Sequence, residues 1–392
     1  MECERISTKV CIIGAGPAGT LLSNLLLQAK IECLIVDRLS RGEIFSRARA
    51  GLIEHRNVEL LKTYGLADRL LLEGHAHSCI EFRAGGKGFL FDYAGLCGGR
   101  SSWVYPQHEL VSDLTDAVLN AGGDIRFGVP AETIEFGAHP IVTCDSGKLV
   151  IDCDFVAGCD GFHGVSRTAI PNGLLREFAR QYEFEWLAVL AQAPPSSGHA
   201  IYALHPRGFA GHMLRSTTLS RFYLQVHRNS AAEDWPDQRI WTERGVRMAK
   251  DGWVLNKGPV IARSLLEMRS YVGEPMQFGR LFLVGDAAHI ITPAGGKGMN
   301  LAIQDAEGLA QGLRAFYASR DESRLGRYSA TRLPRVWQAM EFSNWMIEVM
   351  HAASTDGPDA AYTLRLQEAR LEHLARKGYF AADFAESYVG PA

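Results

Sequence analysis

The sequence KVCIIGAGPAGTLLSNLLLQAKIECLIVDR, residues 9–38, decides the fold of this chain. A short apolar run over residues 10–13 predicts a buried strand, and the glycine-rich sequence GAGPAG over residues 14–19 follows it directly. A helical pattern comes next, and a second apolar run over residues 33–36 predicts another buried strand. Strand, glycine turn, helix and strand in this order predict a βαβ unit in a parallel sheet.

The glycine turn has the spacing of a dinucleotide-binding site. Gly14 permits the tight turn, Gly16 lets the backbone approach a pyrophosphate, and Gly19 lets the helix pack close to the strand. The helix N-terminus offers free N–H groups and a positive dipole to phosphates. Asp37 lies 23 residues after Gly14, where a carboxylate can accept a hydrogen bond from a ribose hydroxyl. We expect a bound dinucleotide, although this motif does not distinguish FAD from NAD; a glycine-rich turn in another parallel sheet is the structural alternative.

Composition and charge restrict the class of partner. The 392 residues carry a formal net charge of −3, which argues against nucleic acid or an anionic membrane surface as the main partner. The eight cysteines are scattered, with no C-x-x-C and no zinc spacing. We therefore expect no metal site, and reduced thiols in a cytoplasmic protein. The polar first nine residues make a signal peptide unexpected.

Two further segments each place an aspartate at the predicted end of a strand. They are CDFVAGCDGFHGVSR, residues 153–167, and GRLFLVGDAAHIITPAGGKGMNLAIQDAEGLA, residues 279–310. Small residues follow both Asp160 and Asp286, and a helical pattern begins near Gly298. A carboxylate at a strand end can meet a ribityl or ribose hydroxyl. For Asp286 a helix cap is the structural alternative, and the two roles are compatible.

In order and spacing, the glycine turn and the two aspartate segments resemble those of the class A FAD-dependent aromatic hydroxylases. The resemblance extends along almost the whole chain and is closest to the members that act on 4-hydroxybenzoate. The matching segments are SRARAGLIE (46–54), GCDGFHGVSR (158–167), YALHPRGFA (202–210), EPMQFGRLFLVGDAAHI (274–290) and AESYVG (385–390). Together they are far more specific than the glycine turn by itself.

The expected fold is α/β in three parts. Residues 1–178 form an FAD-binding, Rossmann-like region with a doubly wound parallel sheet. Residues 179–274 form a substrate-binding β-sheet domain, which includes a hairpin near residues 209–227. Residues 275–392 complete the FAD site and then form a C-terminal helical region whose aromatic residues serve as core or as dimer interface.

The resemblance implies a flavoprotein monooxygenase with bound FAD, NADPH or NADH as co-substrate, and O₂. The expected reaction is hydroxylation of 4-hydroxybenzoate, or a close phenolic acid, beside its hydroxyl to give 3,4-dihydroxybenzoate, through a flavin hydroperoxide. Two alternatives stay open within flavin chemistry: hydroxylation of a ring-substituted or amino-substituted hydroxybenzoate, and a dehydrogenase or oxidase without oxygen insertion. A third is a redox scaffold that binds flavin without turnover. The resemblance also implies a homodimer.

The resemblance assigns two sets of cofactor residues. Those expected to bind FAD are Gly14, Gly16, Gly19, Asp37, Arg49, Gln107, Asp160, Asp286, Gly298, Met299 and Asn300, the last three through backbone N–H groups that face the flavin ring. Those expected to bind NAD(P)H in a surface groove are Arg38, Arg47, His163 and Arg269. A phosphate-rich ligand explains such a basic cluster, and a solvated basic face is the alternative explanation.

By resemblance, Tyr202 meets the phenol oxygen of the substrate, Tyr388 is hydrogen-bonded to Tyr202, and His77 is reached through water. A relay that removes the phenol proton activates the ring, because a phenolate ring is a far better nucleophile than a phenol. Without the resemblance each residue has a structural alternative. Tyr202 could belong to an interface, Tyr388 could anchor the tail, and His77 could form an H-x-H pair with His75.

The resemblance also assigns the substrate contacts. The carbonyl of Pro293 touches the substrate hydroxyl, Tyr223 lies near the substrate carboxylate, and Arg215 pairs with that carboxylate in the bidentate way that arginine favours.

Three residues differ from the family pattern. Met213 replaces a serine that helps to bind the carboxylate, Leu214 replaces a glutamine, and Ala294 replaces a threonine. Strand periodicity places Met213 and Arg215 on one face, so the methionine is expected to face the substrate. The substrate is therefore either 4-hydroxybenzoate held more weakly, or a ring-substituted relative whose extra group packs on Met213.

Overall fold

A computed structural model describes residues 3–46, 51–352 and 358–390. The strands are β1 (Glu4–Ile13), β2 (Cys33–Asp37), β3 (Leu52–Ile53), β4 (His75–His77), β5 (Cys79–Ala84), β6 (Lys87–Asp92), β7 (Ser102–Val104), β8 (Asp124–Phe127), β9 (Ala131–Glu135), β10 (Ile141–Cys144), β11 (Leu149–Gly158), β12 (Arg176–Ala191), β13 (Ala200–Leu204), β14 (Ala210–Leu214), β15 (Ser220–His227), β16 (Val260–Glu274), β17 (Gln277–Phe278), β18 (Leu281–Leu283) and β19 (His289–Ile290).

The helices are α1 (Pro17–Gln28), α2 (Arg41–Ser46), α3 (His55–Thr63), α4 (Asp68–Glu73), α5 (Tyr93–Leu96), α6 (Gln107–Asn120), α7 (Val165–Ala169), α8 (Asp237–Arg247), α9 (Gly298–Ser319), α10 (Ser323–Gly326), α11 (Tyr328–Met350), α12 (Pro358–Leu374) and α13 (Tyr379–Val389). Within the described ranges, no helix is both long enough and apolar enough to cross a membrane.

The first sheet carries the predicted βαβ unit at its centre. Its strands run in the order β17-β18-β11-β1-β2-β8, with β10 and β9 added beside β11. Strands β18, β11, β1, β2 and β8 are parallel to one another. Strand β17 pairs antiparallel with β18, and β10 pairs antiparallel with β11. The continuous apolar runs 10–13 and 33–36 are buried, as expected for parallel strands that are covered on both faces. Helix α1 packs against α6 and α9.

The second sheet is largely antiparallel, in the order β19-β16-β12-β15-β14-β13-β5-β6. Alternation along its strands sends side chains into two different cores. Trp186, Tyr202 and Tyr223 point into a core shared with the C-terminal helices α11–α13. Leu187, which follows Trp186, and Phe222, which precedes Tyr223, point into a second core that α8 covers. The site residues Tyr202 and Tyr223 are thereby placed together on one face.

The α/β fold class is confirmed, with a parallel sheet, a second β-sheet and C-terminal helices. The predicted hairpin near residues 209–227 is formed by β14 and β15. One connection was not expected: the hairpin β5–β6 comes from within the first predicted region but pairs with the second sheet, through the parallel contact of β5 with β13. The division of the chain at residues 178 and 274 stays a prediction.

Arg244 is a buried cation in the core between the second sheet and α8. It lies on α8 with its guanidinium over the Phe222 ring. Its Nε and Nη1 have no hydrogen-bond partner among the described residues. Burial holds the pKa of Arg244 well below its ordinary value. On the same helix, Arg247 is also buried but donates to Glu243 at 2.9 Å. The two arginines therefore differ in that only Arg247 has a carboxylate partner among the described residues.

We expect Arg244→Leu to raise the free energy of unfolding by about 1–3 kcal/mol, because it replaces an unpaired buried charge with a side chain suited to an apolar core. Arg247→Leu is the matched control and is expected to lower stability, since it leaves Glu243 buried with one partner fewer. Urea unfolding of both variants measures the two changes. Equal destabilisation by both would show that Arg244 contributes an interaction of its own.

Candidate active site

The glycine turn has the geometry that a pyrophosphate requires. A Cβ on Gly14 (φ 109°) would lie 2.3 Å from the carbonyl oxygen of Cys159, and one on Gly19 would lie 1.9 Å from that of Gly14. Gly16, the N-cap of α1, differs: no described atom lies within 4 Å of its Cβ position. No side chain caps α1, so its first N–H groups face open space. These features fit a dinucleotide phosphate.

Asp37 lies beside this turn at the end of β2. Its Oδ2 accepts from the backbone N–H of Ala15 at 2.7 Å, and its Oδ1 accepts from that of Leu39 at 2.8 Å. The carboxylate therefore holds the glycine turn in place. Each carboxylate oxygen can accept more than one hydrogen bond, so both oxygens keep capacity for a ribose hydroxyl.

Asp160 has one oxygen in use and one without a partner. Oδ2 accepts from the backbone N–H and the hydroxyl of Ser166, both at 2.9 Å, and so caps α7. Oδ1 is buried and has no hydrogen-bond partner in the described part of the chain. Burial raises the pKa of Asp160. An unpaired buried oxygen at a strand end fits a ligand hydroxyl or N–H donor.

Asp286 lies in the short 3-10 turn Gly285–Ala287, which begins two residues after the end of β18. Asp305 holds this turn, because its Oδ2 accepts from the Gly285 N–H at 3.1 Å. His289 at 2.7 Å and Arg332 at 2.6 Å complete the carboxylate's partners. Burial acts to raise the pKa of Asp305, but the charges of His289 and Arg332 outweigh it and the pKa is lowered.

The N-terminus of α9 is a second uncapped helix start. No side chain caps it, and no described atom lies within 4 Å of the Cβ position of Gly298. Lys297, just before it, is buried and donates to Glu54 Oε1 at 2.6 Å and to the carbonyl of Tyr388 at 2.9 Å. Since Glu54 balances the charge of Lys297, the N–H groups and dipole of α9 supply the local positive potential. This suits an electron-rich, anionic flavin ring.

The side chain of Asn300 is fully used in shaping this helix start. Its Oδ1 accepts from the N–H of Glu54 at 2.9 Å and from Nδ2 of Asn57 at 2.8 Å. Its Nδ2 donates to the carbonyls of Leu52 and Gly296 at 2.9 and 2.8 Å. Only the backbone N–H of Asn300 is therefore available for a flavin contact.

Tyr202 and Tyr388 are both buried and interact through their hydroxyls. Burial raises the pKa of Tyr202 to about 12, and its hydrogen bond with Tyr388 acts in the opposite direction. Burial also raises the pKa of Tyr388, with Tyr202 as the second cause. The structure thus brings together strand β13 and helix α13, which are distant in sequence. Both phenols stay protonated at neutral pH and can pass a proton on without holding charge.

His77 lies at the end of β4 and contacts Tyr93, which was not predicted. The His77 Nδ1 and the Tyr93 hydroxyl are 3.0 Å apart, and the rings of Tyr93 and Tyr388 lie 4.9 Å apart between centroids. Burial, and then the charge of His199, lower the pKa of His77 to about 4. His77 is therefore neutral at neutral pH and has a lone pair to accept a proton.

The predicted carboxylate-binding residues form an electropositive cluster. Arg215 lies one residue past the end of β14, so strand alternation does not extend to it from Met213 as expected. Burial, and then Arg221, lower the pKa of Arg215. Burial raises the pKa of Tyr223, against the opposing charges of Arg221 and Arg215. Two guanidinium groups and a phenol in a half-buried site favour a carboxylate ligand.

Met213 packs against the apolar core that contains Tyr202, Tyr223 and Trp186. Ala294 is buried in the same core. Pro293 begins a 3-10 turn over Pro293–Gly295, next to the start of α9. Tyr202 and Tyr223, which are predicted for the two ends of a substrate, therefore share one core. Met213 and Ala294, two of the three departures from the family pattern, line it with apolar groups.

The remaining predicted residues belong to the two cofactor sets, those for FAD and those for NAD(P)H. Gln107 begins α6, and Met299 is the second residue of α9. Arg38 is exposed just after β2. His163 Nε2 and Arg269 Nη2 lie 3.5 Å apart, and their binding of NAD(P)H stays a prediction. Arg47 and Arg49 lie outside the described residues.

Comparison with known proteins identifies the family. A model of the FAD binding domain matches residues 7–343. The p-hydroxybenzoate hydroxylase of Acinetobacter baylyi is 39% identical over 391 residues, which cover 99% of this chain and 96% of that relative. The chain belongs to the class A FAD-dependent aromatic hydroxylases. The predictions of family, of a flavoprotein monooxygenase, and of FAD with NAD(P)H and O₂ are confirmed.

A more distant relative and one solved structure also resemble this chain. The 12-dehydrotetracycline 5-monooxygenase/anhydrotetracycline 6-monooxygenase of Streptomyces rimosus is 31% identical over 83% of this chain and 66% of that relative. The crystal structure of p-nitrophenol 4-monooxygenase from Pseudomonas putida covers 99% of this chain and 97% of its own, with a TM-score of 0.80 at 20% identity. At that identity the likeness shows the fold alone.

Several residues that shape the hydroxylase's site were missed from the sequence: Tyr93, Arg221, Lys297 with Glu54, and the group of His289, Asp305 and Arg332. For Arg221 a signal existed, because strand alternation places it on the same face as Tyr223. For the others, partners lie far apart in the chain and no local pattern marks them.

We expect Gly16→Val in the hydroxylase to fold but to bind FAD at least about tenfold more weakly. A Cβ at this position meets no atom of the described residues, yet the side chain fills the space beside the α1 N-terminus where charge-assisted hydrogen bonds of about 1.5–3 kcal/mol each would form. The measurements are the FAD content of the purified protein and its FAD titration.

Gly378→Val is the matched control, since Gly378 is also a helix N-cap with open surroundings, at the start of α13. It is expected to keep full FAD content. A Gly16→Val protein that retains FAD like the control would contradict the assignment of this turn to the pyrophosphate.

Proposed function

We propose that this hydroxylase acts on 4-hydroxybenzoate or a close phenolic acid and places the new hydroxyl on the ring carbon beside the existing one. With 4-hydroxybenzoate the product is 3,4-dihydroxybenzoate. One acid, one NAD(P)H, one proton and one O₂ give one dihydroxy acid, one NAD(P)⁺ and one water. The relative from Acinetobacter baylyi, named for p-hydroxybenzoate, supports this substrate class.

The proposal depends on one observation: residues that can bind a phenol and residues that can bind a carboxylate lie around one core. Tyr202 interacts with Tyr388 and also with Tyr223, whose charge is the next influence on the pKa of Tyr202. Tyr223 in turn lies beside Arg221 and Arg215. A ligand between these groups would place a phenol oxygen at Tyr202 and a carboxylate at the guanidinium groups. A para-hydroxy aromatic acid has such a shape and charge.

The residues of the chain orient the acid and move its phenol proton. When bound, FAD takes a hydride from NAD(P)H and supplies one oxygen atom of O₂ to the ring. Tyr202 Oη accepts the hydrogen bond of the substrate phenol and donates its own to Tyr388. Both tyrosines have raised pKa values, so they stay neutral and pass the proton on. His77 is neutral because burial lowers its pKa, so its lone pair is free to receive the proton, and the same low pKa makes it release the proton to water and not keep it. Removing this proton makes the ring carbon nucleophilic.

Met213 supports a second candidate substrate, a ring-substituted hydroxybenzoate. It is half-buried and packs on the core that holds Tyr202 and Tyr223. A thioether offers no strong hydrogen-bond donor to a carboxylate but gives a soft apolar surface to a substituent. Buried Ala294 adds to that apolar wall.

Two further assignments are part of the proposal. The large exposed side chains Tyr362 and Tyr379, 67% and 98% accessible on α12 and α13, support a homodimer formed through the C-terminal helices. All eight cysteines are free thiols, which supports a cytoplasmic location.

The decisive assay measures oxygen uptake and product with a panel of hydroxy- and aminobenzoates and each pyridine nucleotide. The proposal requires that a phenolic acid stimulate NAD(P)H oxidation and be recovered with one added hydroxyl. If no phenolic acid stimulates the reaction and only peroxide appears, the hydroxylation of a phenolic acid is wrong.

Tyr202→Phe tests the proton relay. We expect substrate binding to persist while product per NAD(P)H falls by about 10- to 100-fold and peroxide replaces it, because the phenol proton loses its acceptor. The matched control is Tyr182→Phe, which removes another buried hydroxyl of the same sheet, one that contacts Asn344 at 3.1 Å. An unchanged product yield in Tyr202→Phe would remove this residue from the mechanism.

Met213→Ser tests the substrate. If the acid is 4-hydroxybenzoate, the added hydroxyl should tighten its binding by about fivefold, which corresponds to about 1 kcal/mol for one hydrogen bond. Met213→Leu keeps the apolar volume and should leave the affinity nearly unchanged. Titration of the flavin absorbance gives both dissociation constants. Weaker binding in Met213→Ser would instead favour a substituent that packs on the methionine.

A further inference from the structure

The two ring nitrogens of His77 have different surroundings. Nδ1 lies 3.0 Å from the hydroxyl oxygen of Tyr93. Nε2 is buried and has no hydrogen-bond partner among the described residues. A neutral imidazole carries one proton, and the hydrogen bond made by one nitrogen decides which of the two carries it. The question is therefore which group donates in the contact between His77 and Tyr93.

The backbone carbonyl of His77 decides which group donates. The Tyr93 hydroxyl also contacts the carbonyl oxygen of His77 itself, and towards that atom it can only donate. A tyrosine hydroxyl has a single proton, so its oxygen is left as the acceptor towards Nδ1. His77 then carries its proton on Nδ1 and donates it to Tyr93. The lone pair remains on Nε2.

Tyr93 is itself fixed in position. It is fully buried at the start of α5, where the preceding Asp92 accepts from the Gly95 N–H at 2.9 Å. The backbone N–H of Ser102 lies 3.4 Å from its hydroxyl. Its ring packs on Tyr388, and α5 packs on α13. Tyr93 thus lies between His77 and Tyr388 and contacts both. Burial raises the pKa of Tyr93, so its hydroxyl stays neutral.

We propose that Tyr93 is a positioning residue that holds His77 in the Nδ1–H tautomer, so that Nε2 is the atom that accepts the proton released through Tyr202 and Tyr388. This inference rests on the proposed function. A cavity of about 340 Å³ supports the role, since His77 lines it together with the polar residues His75, His199, Ser78 and Ser216. Such a cavity can hold water near the His77 side chain.

The first test is made on the wild-type protein, and a variant serves only to assign its signal. The holoenzyme with FAD, labelled with ¹⁵N-histidine, reports which nitrogen of His77 is protonated, and comparison with the His77→Asn protein assigns the signal. We expect Nδ1 protonated and Nε2 unprotonated at neutral pH. A wild-type His77 protonated on Nε2 would overturn the inference.

The second test is Tyr93→Phe, which removes only the hydroxyl. Both His77 tautomers are then expected in the ¹⁵N spectrum. With the acid that the wild type hydroxylates, kcat for product should fall by about 10- to 100-fold, while FAD content and the substrate Kd stay unchanged. The control Tyr328→Phe removes a buried hydroxyl that contacts the Leu283 carbonyl at 3.0 Å, and should leave kcat unchanged. An unchanged kcat in Tyr93→Phe would also overturn the inference.

The two tests separate this inference from the proposed function. If the wild type hydroxylates no phenolic acid, the proposed function fails and the proton-relay role of Tyr93 fails with it, whatever the tautomer. If the wild type forms product but Tyr93→Phe changes neither tautomer nor kcat, only the role of Tyr93 is wrong.

Discussion

The close approach of helix α1 to the end of strand β1 is the contact on which the cofactor site depends. The Cα of Gly19 lies against the carbonyl of Gly14, and Gly14 lies against Cys159, with no room at either place for a Cβ. This contact aims the N–H groups of α1 at the open space beside Gly16. The other parts of the site are held relative to it: Asp37 by hydrogen bonds to the turn, and α9 by its packing on α1. A wider turn would move the α1 dipole, and with it the phosphate site.

Around this frame the substrate side is built from pieces that lie far apart in the chain. Tyr202 comes from β13, Tyr223 from β15, His77 from β4 and Tyr388 from the last helix. One buried ion pair ties the last of these pieces to the flavin side: Lys297 connects Glu54 to the carbonyl of Tyr388. Because breaking a buried pair leaves an uncompensated charge, this connection holds the C-terminal helix against the start of α9. The geometry of the tyrosine pair therefore depends on the same helix start that faces the flavin ring.

The sequence supported the fold and the FAD site well, for a physical reason. Continuous apolar runs, a glycine turn and an acid at fixed spacing are local requirements of one βαβ unit, so a short segment displays all of them. The second sheet was harder to delimit. The hairpin β5–β6 belongs to it although it lies about 100 residues before β13, and nothing local marks that parallel pairing. Strand alternation was also expected to place Met213 and Arg215 on one face, but β14 ends at Leu214 and Arg215 lies outside the strand.

The sequence by itself determined the α/β class, the dinucleotide turn and, through resemblance, the residues expected at both ends of a substrate. Only the tertiary structure decided which of them share a core, and it added partners that no motif contains. Tyr93 is the clearest case: its neighbours His77 and Tyr388 are 16 residues before it and 295 after it. Its contact with both arises from the packing of α5 on α13. Hydrogen bonds between distant segments depend on how the chain packs, whereas the spacing within one turn is written in consecutive residues.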